Sequence, residues 1–435
     1  MSECTTAVDT SESHAKSLDE SDPLATFRER FHIPRHPVSM DEPSIYLCGN
    51  SLGCMPRAVA GEAEMMLEDW ARLGVEGHFF ARDPWYPYHE QFREPYAKLL
   101  GATPEEVVAM NTLTVNLHLL MVSFYRPTKE RYRILIDGPC FPSDVYTVKS
   151  QIRERAHAVG VDPDDALVWV DPREGEHHVR EEDIEGAIAE HGDSLALVLL
   201  AGVNYYSGKF YDCARIVKAA HDAGAIAGLD LAHAAGNAPV DLHEWNADFA
   251  VWCTYKYLNS GPGAVGGAFV HQRHLNRDDY TSMPRYEGWW GNDPDERFRM
   301  SPGFEPVRTA DAWSLSNPPI LSLLPVKVSL GIFMEAGYAN LREKSVKLTS
   351  YLESMIASTT RGSVRVITPE DPDQRGCQLS LLIPSKGREV HDALRREGVV
   401  CDFREPDVIR VAPTPLYNTF HDCWRFAEIL GRAVG

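Results

Sequence analysis

The sequence predicts an α/β protein: a large domain with a mostly parallel, doubly wound sheet, plus a smaller C-terminal α/β domain. From about residue 107 to residue 270, short apolar runs alternate with amphipathic helical stretches, a pattern typical of a parallel sheet with helical crossovers. Two of these runs, 226–230 and 249–253, lead into loops that carry charged side chains. After residue 320, helices and short apolar runs alternate again, which predicts the second domain.

The length of 435 residues fits two or three domains. We expect four parts: a disordered acidic tail over residues 1–22, an N-terminal segment over 23–60 that contributes to the small domain and the active site, a large domain over 61–319 and a small domain over 320–435.

Composition excludes several classes of protein. With 43 Lys and Arg against 63 Asp and Glu, the net charge of −20 argues against nucleic acid and anionic membranes as partners. The chain has no apolar run of 18 residues, and residues 1–22 lack an apolar signal-peptide core. Nine scattered cysteines without a C-x-x-C pair predict reduced thiols, a cytoplasmic protein and no metal site.

Asp230 and Lys256 each follow an apolar run that we predict to be a buried parallel strand. Ligands of open α/β sheets bind at the carboxyl ends of such strands. A carboxylate that pairs with a pyridinium nitrogen and a lysine that forms a Schiff base are what pyridoxal phosphate chemistry requires. Each residue alone has a structural alternative, and Asp230 with His233 has the spacing of half a metal site.

Four other features of the sequence each allow a structural and a functional interpretation. The turn at 111–118 places Thr112 and Thr114 at a helix start, either to bind phosphate or as a plain cap. Phe141 follows a strand, where it stacks on a ring or fills the core. His78 lies in an aromatic loop, as a surface or a functional histidine. Arg410, inside an apolar strand, holds an internal carboxylate or a substrate carboxylate.

Residues 284–319 have little helical or strand pattern and many aromatic, Gly and Pro residues. A segment of this length inside a compact protein usually carries function or contacts a partner.

Together these segments resemble the kynureninase family, which are fold-type-I pyridoxal-phosphate hydrolases, from about residue 44 to residue 430. The resemblance rests on seven segments in this order: 46–53 (Tyr-Leu-Cys-Gly-Asn-Ser-Leu-Gly), 111–118 (Asn-Thr-Leu-Thr-Val-Asn-Leu-His), 141–144 (Phe-Pro-Ser-Asp), 230–234 (Asp-Leu-Ala-His-Ala), 255–259 (Tyr-Lys-Tyr-Leu-Asn), 316–320 (Ser-Asn-Pro-Pro-Ile) and 410–413 (Arg-Val-Ala-Pro).

The resemblance implies a role for each matching residue. Lys256 would be the Schiff-base lysine, with Tyr255 as a proton relay, and Asp230 would pair with the pyridinium nitrogen. In one departure, Ala201 stands where relatives carry a serine near the phosphate. The other implied cofactor contacts are Leu113, Thr114 and Tyr255 at the phosphate, Phe141, Pro142, Ser143 and Asp144 around the ring, His233 beside the ring, and Trp289 and Asn317 from the neighbouring subunit of a homodimer. The implied substrate-binding residues are Ser51, His78, Asn317 and Arg410. Arg410 would bind the α-carboxylate of the substrate.

The implied reaction is hydrolysis of the Cβ–Cγ bond of L-kynurenine, 3-hydroxy-L-kynurenine or both, in tryptophan degradation and NAD biosynthesis. The products are an anthranilate and L-alanine. In this family, a His and an Asn at the positions of His78 and Asn317 go with a 3-hydroxylated ring.

Two alternatives remain on the same fold. A cysteine desulfurase or selenocysteine lyase needs a mobile nucleophilic cysteine in the small domain, where Cys377, Cys401 and Cys423 lie in apolar strands or a helix. A non-catalytic regulator that binds pyridoxal phosphate usually carries a DNA-binding appendage, which the acidic N-terminus does not suggest.

Overall fold

The computed structural model describes residues 9–435 and divides them into two compact units. The larger unit comprises Ala58–Tyr205 and Lys209–Met334, and the smaller unit comprises the segment that ends at Arg57 together with Tyr206–Gly208 and Glu335–Gly435. The boundary predicted at residue 320 differs from the observed one at Glu335, because the helix that starts at Ile320 belongs almost wholly to the larger unit.

A seven-stranded sheet forms the centre of the larger unit. Its strands in chain order are β1 (Val107–Ala109), β2 (Arg133–Asp137), β3 (Leu167–Val170), β4 (Leu195–Ala201), β5 (Ile226–Asp230), β6 (Phe249–Trp252) and β7 (Gly267–Val270).

The strands lie side by side in the order β1-β7-β6-β5-β4-β2-β3. Strands β2 to β6 pair in parallel, and β7 is antiparallel to both of its neighbours. Every residue of β6 and β7 is buried, as expected for continuous apolar strands covered on both faces. The predicted mostly parallel sheet is therefore confirmed.

Helices connect these strands where the apolar periodicity predicts them. The main helices of the larger unit are Ala58–Leu73, Arg93–Leu100, Leu113–Phe124, Pro142–Ala158, Glu181–His191, Cys213–Asp222 and Ile320–Ala336. One core packs against the sheet, and in it the rings of Phe124 and Phe249 stack with centroids 5.1 Å apart.

The long helical stretch predicted from residue 320 breaks at Gly337, as expected from its sequence. Gly337 has φ of +76°, a left-handed conformation that glycine adopts without steric cost, and it separates Ile320–Ala336 from Tyr338–Thr360. Within residues 9–435, no single helix is long and apolar enough to cross a membrane; this consecutive pair reaches that length and composition only when both are counted.

The smaller unit contains a four-stranded antiparallel sheet. Its strand Asp402–Arg404 was not predicted, because its charged residues hide the apolar pattern. The strands of this sheet lie in the order Arg365–Val366, Leu379–Leu382, Val408–Val411 and Asp402–Arg404. Two further strand pairs are Ile45–Tyr46 with Val399–Val400, which are parallel, and Phe31–His32 with Met55–Pro56, which are antiparallel. The main helices of the smaller unit are Glu12–Glu20, Tyr338–Thr360, Gly387–Arg396 and Phe420–Val434.

The disorder predicted for the N-terminal tail is wrong over Glu12–Glu20, which form a helix capped by Ser11. The acidic residues of this segment have specific partners. Asp19 accepts the backbone N–H of Phe420 at 2.7 Å, and Asp22 forms a buried ion pair with Lys344 at 2.7 Å. An acidic composition indicates disorder only where the charges lack such partners. Residues 1–8 of the predicted tail lie outside the described residues.

Candidate active site

A cavity of about 180 Å³ lies in the larger unit. The loops that follow β2, β4, β5 and β6 form most of its wall, as expected for a ligand site at the carboxyl ends of parallel strands. Its lining residues are Leu113, Thr114, Pro139, Cys140, Phe141, Ser143, Asp144, Ala201, Val203, Asn204, Tyr205, Asp230, Ala232, His233, Tyr255 and Lys256.

Lys256 projects into this cavity from the loop after β6. Its Nζ lies 2.9 Å from Nε2 of His233, and 5.8 Å from the ring centroid of Phe141. His233 is buried, three residues after the end of β5. A hydrogen bond between an amine and an imidazole couples their protonation, because one proton occupies the contact. The pair can therefore hold and move a proton at the Lys256 nitrogen.

Two buried carboxylates lie on the cavity wall. Asp230 ends β5, where its Oδ1 accepts the backbone N–H of Ala232 at 2.6 Å, and Asp144 comes from the first turn of the helix Pro142–Ala158. Burial first, and then the negative charge of Asp230, raise the pKa of Asp144 well above its usual range. Among the described residues, Asp144 Oδ1 has no hydrogen-bond partner. The carboxyl pair thus has unmet capacity for a cationic N–H donor.

The amino end of helix Leu113–Phe124 forms another part of the wall. Its N-cap residue, Thr112, makes no side-chain capping bond, so the first amides have no partner from the cap. The hydroxyls of Thr114 and Ser143 lie 2.8 Å apart beside them. Free helical amides, the positive end of the helix dipole and two hydroxyls are groups that bind phosphate.

Close packing fixes this helix start. The N–H of Gly266 donates to the carbonyl of Asn111 at 2.7 Å. A Cβ at Gly266 would lie 2.5 Å from the carbonyl oxygen of Trp252, so any larger residue would displace the turn.

Phe141 is 42% exposed and its ring meets Tyr205 edge-on, with centroids 5.4 Å apart. It therefore belongs to the cavity wall and not to the core. Ala201 lines the same wall, and its N–H donates to Asp137 Oδ1 at 3.2 Å. Sequence reasoning did not assign Asn204 or Tyr205, although their position directly after a strand end was the signal for both.

Ser51 and Arg410 lie in the smaller unit with an acidic residue that was not predicted, Asp402. Arg410 is 1% exposed and forms an ion pair with Asp402, to which Ser51 Oγ also donates at 2.6 Å. Arg410 therefore pairs with an internal carboxylate, which is the first of the two roles predicted for it.

Besides Ser51 and Arg410, four predicted site residues do not line the cavity. His78 is half-buried, with Nδ1 at 2.9 Å from the carbonyl of Val75. Trp289 is 43% exposed in a short helical turn of the 284–319 segment, and Asn317 is exposed. Pro142 is the first residue of the helix that carries Asp144 and is likewise absent from the lining.

One cluster elsewhere has the residue types of a metal site. Ligand atoms of Glu106, His243 and His271 lie within 4.8 Å of one another. The carboxylate of Glu106 already accepts the backbone N–H groups of Thr103 at 2.8 Å and Gln272 at 2.7 Å. Glu106 therefore caps two stretches of backbone, and this structural role accounts for the cluster.

Solved structures with the same fold bind pyridoxal phosphate. The chain superposes on the cysteine desulfurase CsdA from Escherichia coli with a TM-score of 0.74, at 18% identity over 94% of this chain and 98% of that one. A mutant of C-DES with glycine covalently linked to the PLP cofactor gives a TM-score of 0.73, at 15% identity over 89% of this chain and 96% of that one. The chain therefore has the fold of the fold-type-I pyridoxal-phosphate enzymes.

Comparison with curated relatives identifies the family to which the chain belongs. The kynureninase of Salinispora tropica is 52% identical over 426 residues, and that of Koribacter versatilis 50% identical over 422; each match covers 97% of both proteins. The family model for the kynureninase C-terminal domain matches residues 341–430. The chain belongs to the kynureninase family.

Pyridoxal phosphate is the cofactor, and the described side chains fit it. The carboxyl pair of Asp230 and Asp144 would receive the ring N–H, for which the unsatisfied Asp144 oxygen leaves capacity. The amino end of helix Leu113–Phe124 would receive the phosphate, and Lys256 would bind the aldehyde carbon.

Asp144→Asn should stabilise the cofactor-free protein at alkaline pH. A carboxyl whose folded pKa is raised contributes stability below the unfolded pKa of about 3.9 and loses it as pH rises through the folded pKa. The variant should melt about 2–4 °C above the parent at pH 8, with no gain near pH 4. Thermal scans across this range test it, with the exposed Glu154→Gln on the same helix as control. A lower Tm for Asp144→Asn at pH 8 would contradict the raised pKa.

Proposed function

We propose that the chain hydrolyses the Cβ–Cγ bond of L-kynurenine and 3-hydroxy-L-kynurenine, and releases L-alanine with anthranilate or 3-hydroxyanthranilate. The observation that carries this proposal is identity of 50% or more over 97% of the chain to curated kynureninases, in a protein whose cavity contains Lys256, Asp230 and His233 together. A water molecule is the second reactant.

Lys256 is the proposed attachment point of the cofactor and the base of the reaction. Bound pyridoxal phosphate withdraws electrons from the substrate Cα, which makes its proton acidic. Lys256 Nζ then takes this proton, and His233 at 2.9 Å shares the positive charge that results. Asp230 would keep the ring nitrogen protonated, while burial and then the charge of Asp230 raise the pKa of Asp144 well above its usual range.

Tyr255 is the proposed proton relay. It lines the cavity next to Lys256, whose Nζ lies 5.9 Å from the tyrosine ring centroid. Burial and the neighbouring Cys253 raise the pKa of Tyr255. The phenol therefore keeps its proton at neutral pH and is able to donate it to a carbanion or oxyanion.

Ser143 is the proposed substitute for the serine that relatives carry at position 201. Its hydroxyl lies 2.8 Å from that of Thr114, at the amino end of helix Leu113–Phe124. Together with the backbone of Leu113, these hydroxyls give the phosphate end a set of donors that does not need Ala201.

Substrate recognition is assigned to four residues. Arg410 would bind the α-carboxylate, because a guanidinium matches a carboxylate in charge and shape. Ser51, His78 and Asn317 would line the substrate side, and His78 together with Asn317 favours a 3-hydroxylated ring.

A homodimer with its active sites at the subunit interface is the proposed assembly. Large apolar side chains are exposed on and after helix Ala58–Leu73, and Trp70, 58% exposed, lines an apolar groove with Leu321. An apolar patch of this kind marks a contact surface. The exposed Trp289 and Asn317 would reach the site of the second copy. The other large apolar side chains exposed on or after this helix are Met65, Leu67, Val75, Phe79 and Phe80.

A cytoplasmic location is proposed from the thiols. None of the eight cysteines among residues 9–435 forms a disulfide. Reduced cysteines in this number are typical of a reducing compartment.

A cysteine desulfurase requires a reactive cysteine thiol in the small domain, and the environments of the three cysteines considered there do not support this alternative function. Cys377 and Cys423 are buried and Cys401 is half-buried. Burial raises the pKa of Cys401 and of Cys423, so that neither forms the thiolate nucleophile readily.

Lys256→Ala should remove both cofactor attachment and turnover. Borohydride reduction of the loaded parent should leave the cofactor mass on the peptide that contains residue 256, and the variant peptide should carry none. Turnover should fall by about 10²- to 10⁴-fold or more, since the variant lacks the base. Lys218→Ala, at an exposed lysine, is the matched control. Normal turnover by Lys256→Ala would refute the assignment.

Comparison of kcat/KM for the two substrates should favour 3-hydroxy-L-kynurenine. Asn317→Ala should reduce this preference by about 2- to 10-fold, the effect of one lost hydrogen bond. Asn276→Ala, also at an exposed asparagine of the larger unit, should leave it unchanged. A preference for the unsubstituted ring in the parent would show that the assignment of His78 and Asn317 is wrong.

Sedimentation equilibrium should give twice the chain mass of 48.7 kDa. Trp70→Glu should shift this mass toward the monomer, because a charge in the apolar patch opposes its burial. Turnover should fall in parallel if Trp289 and Asn317 act across the interface. Tyr146→Glu, at an exposed aromatic residue outside the patch, serves as control. A fully active monomer would argue against the shared site.

A further inference from the structure

We propose that Asp402 is a positioning residue for the α-carboxylate of the substrate, which acts by holding Arg410 and Ser51 in their binding orientations. The inference rests on the proposed function in one respect, because it takes Arg410 as the group that binds this carboxylate. Asp402 itself would make no contact with substrate.

The strand register places Asp402 directly opposite Arg410. The two residues form a cross-strand pair between Asp402–Arg404 and Val408–Val411. Side chains opposite each other in an antiparallel pair share one face, so this register brings the carboxylate to the guanidinium.

One carboxylate oxygen makes all three contacts. Asp402 Oδ2 accepts from Arg410 Nη2, from Ser51 Oγ at 2.6 Å and from Arg404 Nη2 at 3.0 Å. Ser51 Oγ is also 3.4 Å from Arg410 Nη2. Asp402 is therefore the common partner of both predicted substrate-binding residues of this unit.

Charge makes this arrangement necessary. Arg410 is 1% exposed, and a buried guanidinium without an anion is strongly destabilised. Without Asp402, Arg410 would face the second cation, Arg404, at short range. Arg404 is 37% exposed at its side chain and can turn to solvent, whereas Arg410 would lose the carboxylate that lies opposite it in the register.

Asp402 also fixes which way the Ser51 hydroxyl points. Burial opposes ionisation, but the charge of Arg410 and the hydrogen bond from Ser51 lower the pKa of Asp402, so the group is an anion at neutral pH. An anionic carboxylate only accepts hydrogen bonds. The Ser51 proton is thus directed at Asp402, and its oxygen faces Arg410 Nη2 at 3.4 Å, so that Ser51 helps to hold the guanidinium in place.

Asp402→Asn tests the proposal, because the amide keeps the shape and removes the charge. The probe is L-alanine, titrated into the cofactor-loaded enzyme and followed by cofactor absorbance. The apparent Kd should rise by about 10- to 100-fold, as expected for loss of a charged hydrogen-bond partner. KM for the kynurenines should rise similarly, with kcat within about 3-fold of the parent.

Three controls separate positioning from general damage. Ethylamine, which lacks the carboxylate, should bind parent and variant equally. Glu405→Gln, at an exposed carboxylate paired with Arg388, should change nothing. In an Arg410→Gln background, Asp402→Asn should add less than about 3-fold, because residues that act through one another are non-additive.

Asp402→Glu is the second variant if the asparagine does not fold. It keeps the charge but moves the carboxylate by one methylene, so L-alanine should again bind more weakly. Unchanged or tighter L-alanine binding in either folded variant, or equal weakening for ethylamine, would overturn the proposal. A parent enzyme that binds L-alanine but does not cleave kynurenines would refute the proposed function alone.

Discussion

The buried carboxyl pair of Asp144 and Asp230 is the constraint on which the active site depends. Two acids in one low-dielectric wall cannot both ionise at low cost, and burial together with the charge of Asp230 raises the pKa of Asp144 well above its usual range. We propose that a pyridinium N–H is the cationic donor that this pair accepts. The pair would then favour a cationic nitrogen heterocycle and would set which edge of it faces the sheet.

The rest of the cavity follows from the order of the strands. Parallel strands β2, β4, β5 and β6 end at one edge, so the loops after them converge although the sequence separates them widely. This is why Phe141, Tyr205, His233 and Lys256 share one wall. The antiparallel β7 then packs the start of helix Leu113–Phe124 through Gly266.

Much of this arrangement could be predicted from the sequence, and the failures have physical reasons. Apolar runs such as 226–230 and 249–253 identify buried strands, and their ends give the positions of Asp230 and Lys256. Asp402 could not be found this way, because its strand is charged and its importance comes from register with Arg410. The helix at Glu12–Glu20 was missed because it is held by distant partners such as the backbone N–H of Phe420, which donates to Asp19. Residues placed on a second subunit, Trp289 and Asn317, remain predictions.

The contact between Asp19 and the start of helix Phe420–Val434 has a consequence for synthesis of the chain. The smaller unit takes segments from both sides of the larger one, and its last helix is capped by a residue near the start. On the ribosome, every segment of the larger unit emerges before this helix does. The larger unit can therefore fold while translation continues, whereas the smaller unit is completed only once this helix has emerged. Until then helix Glu12–Glu20 cannot form its contact with the start of helix Phe420–Val434.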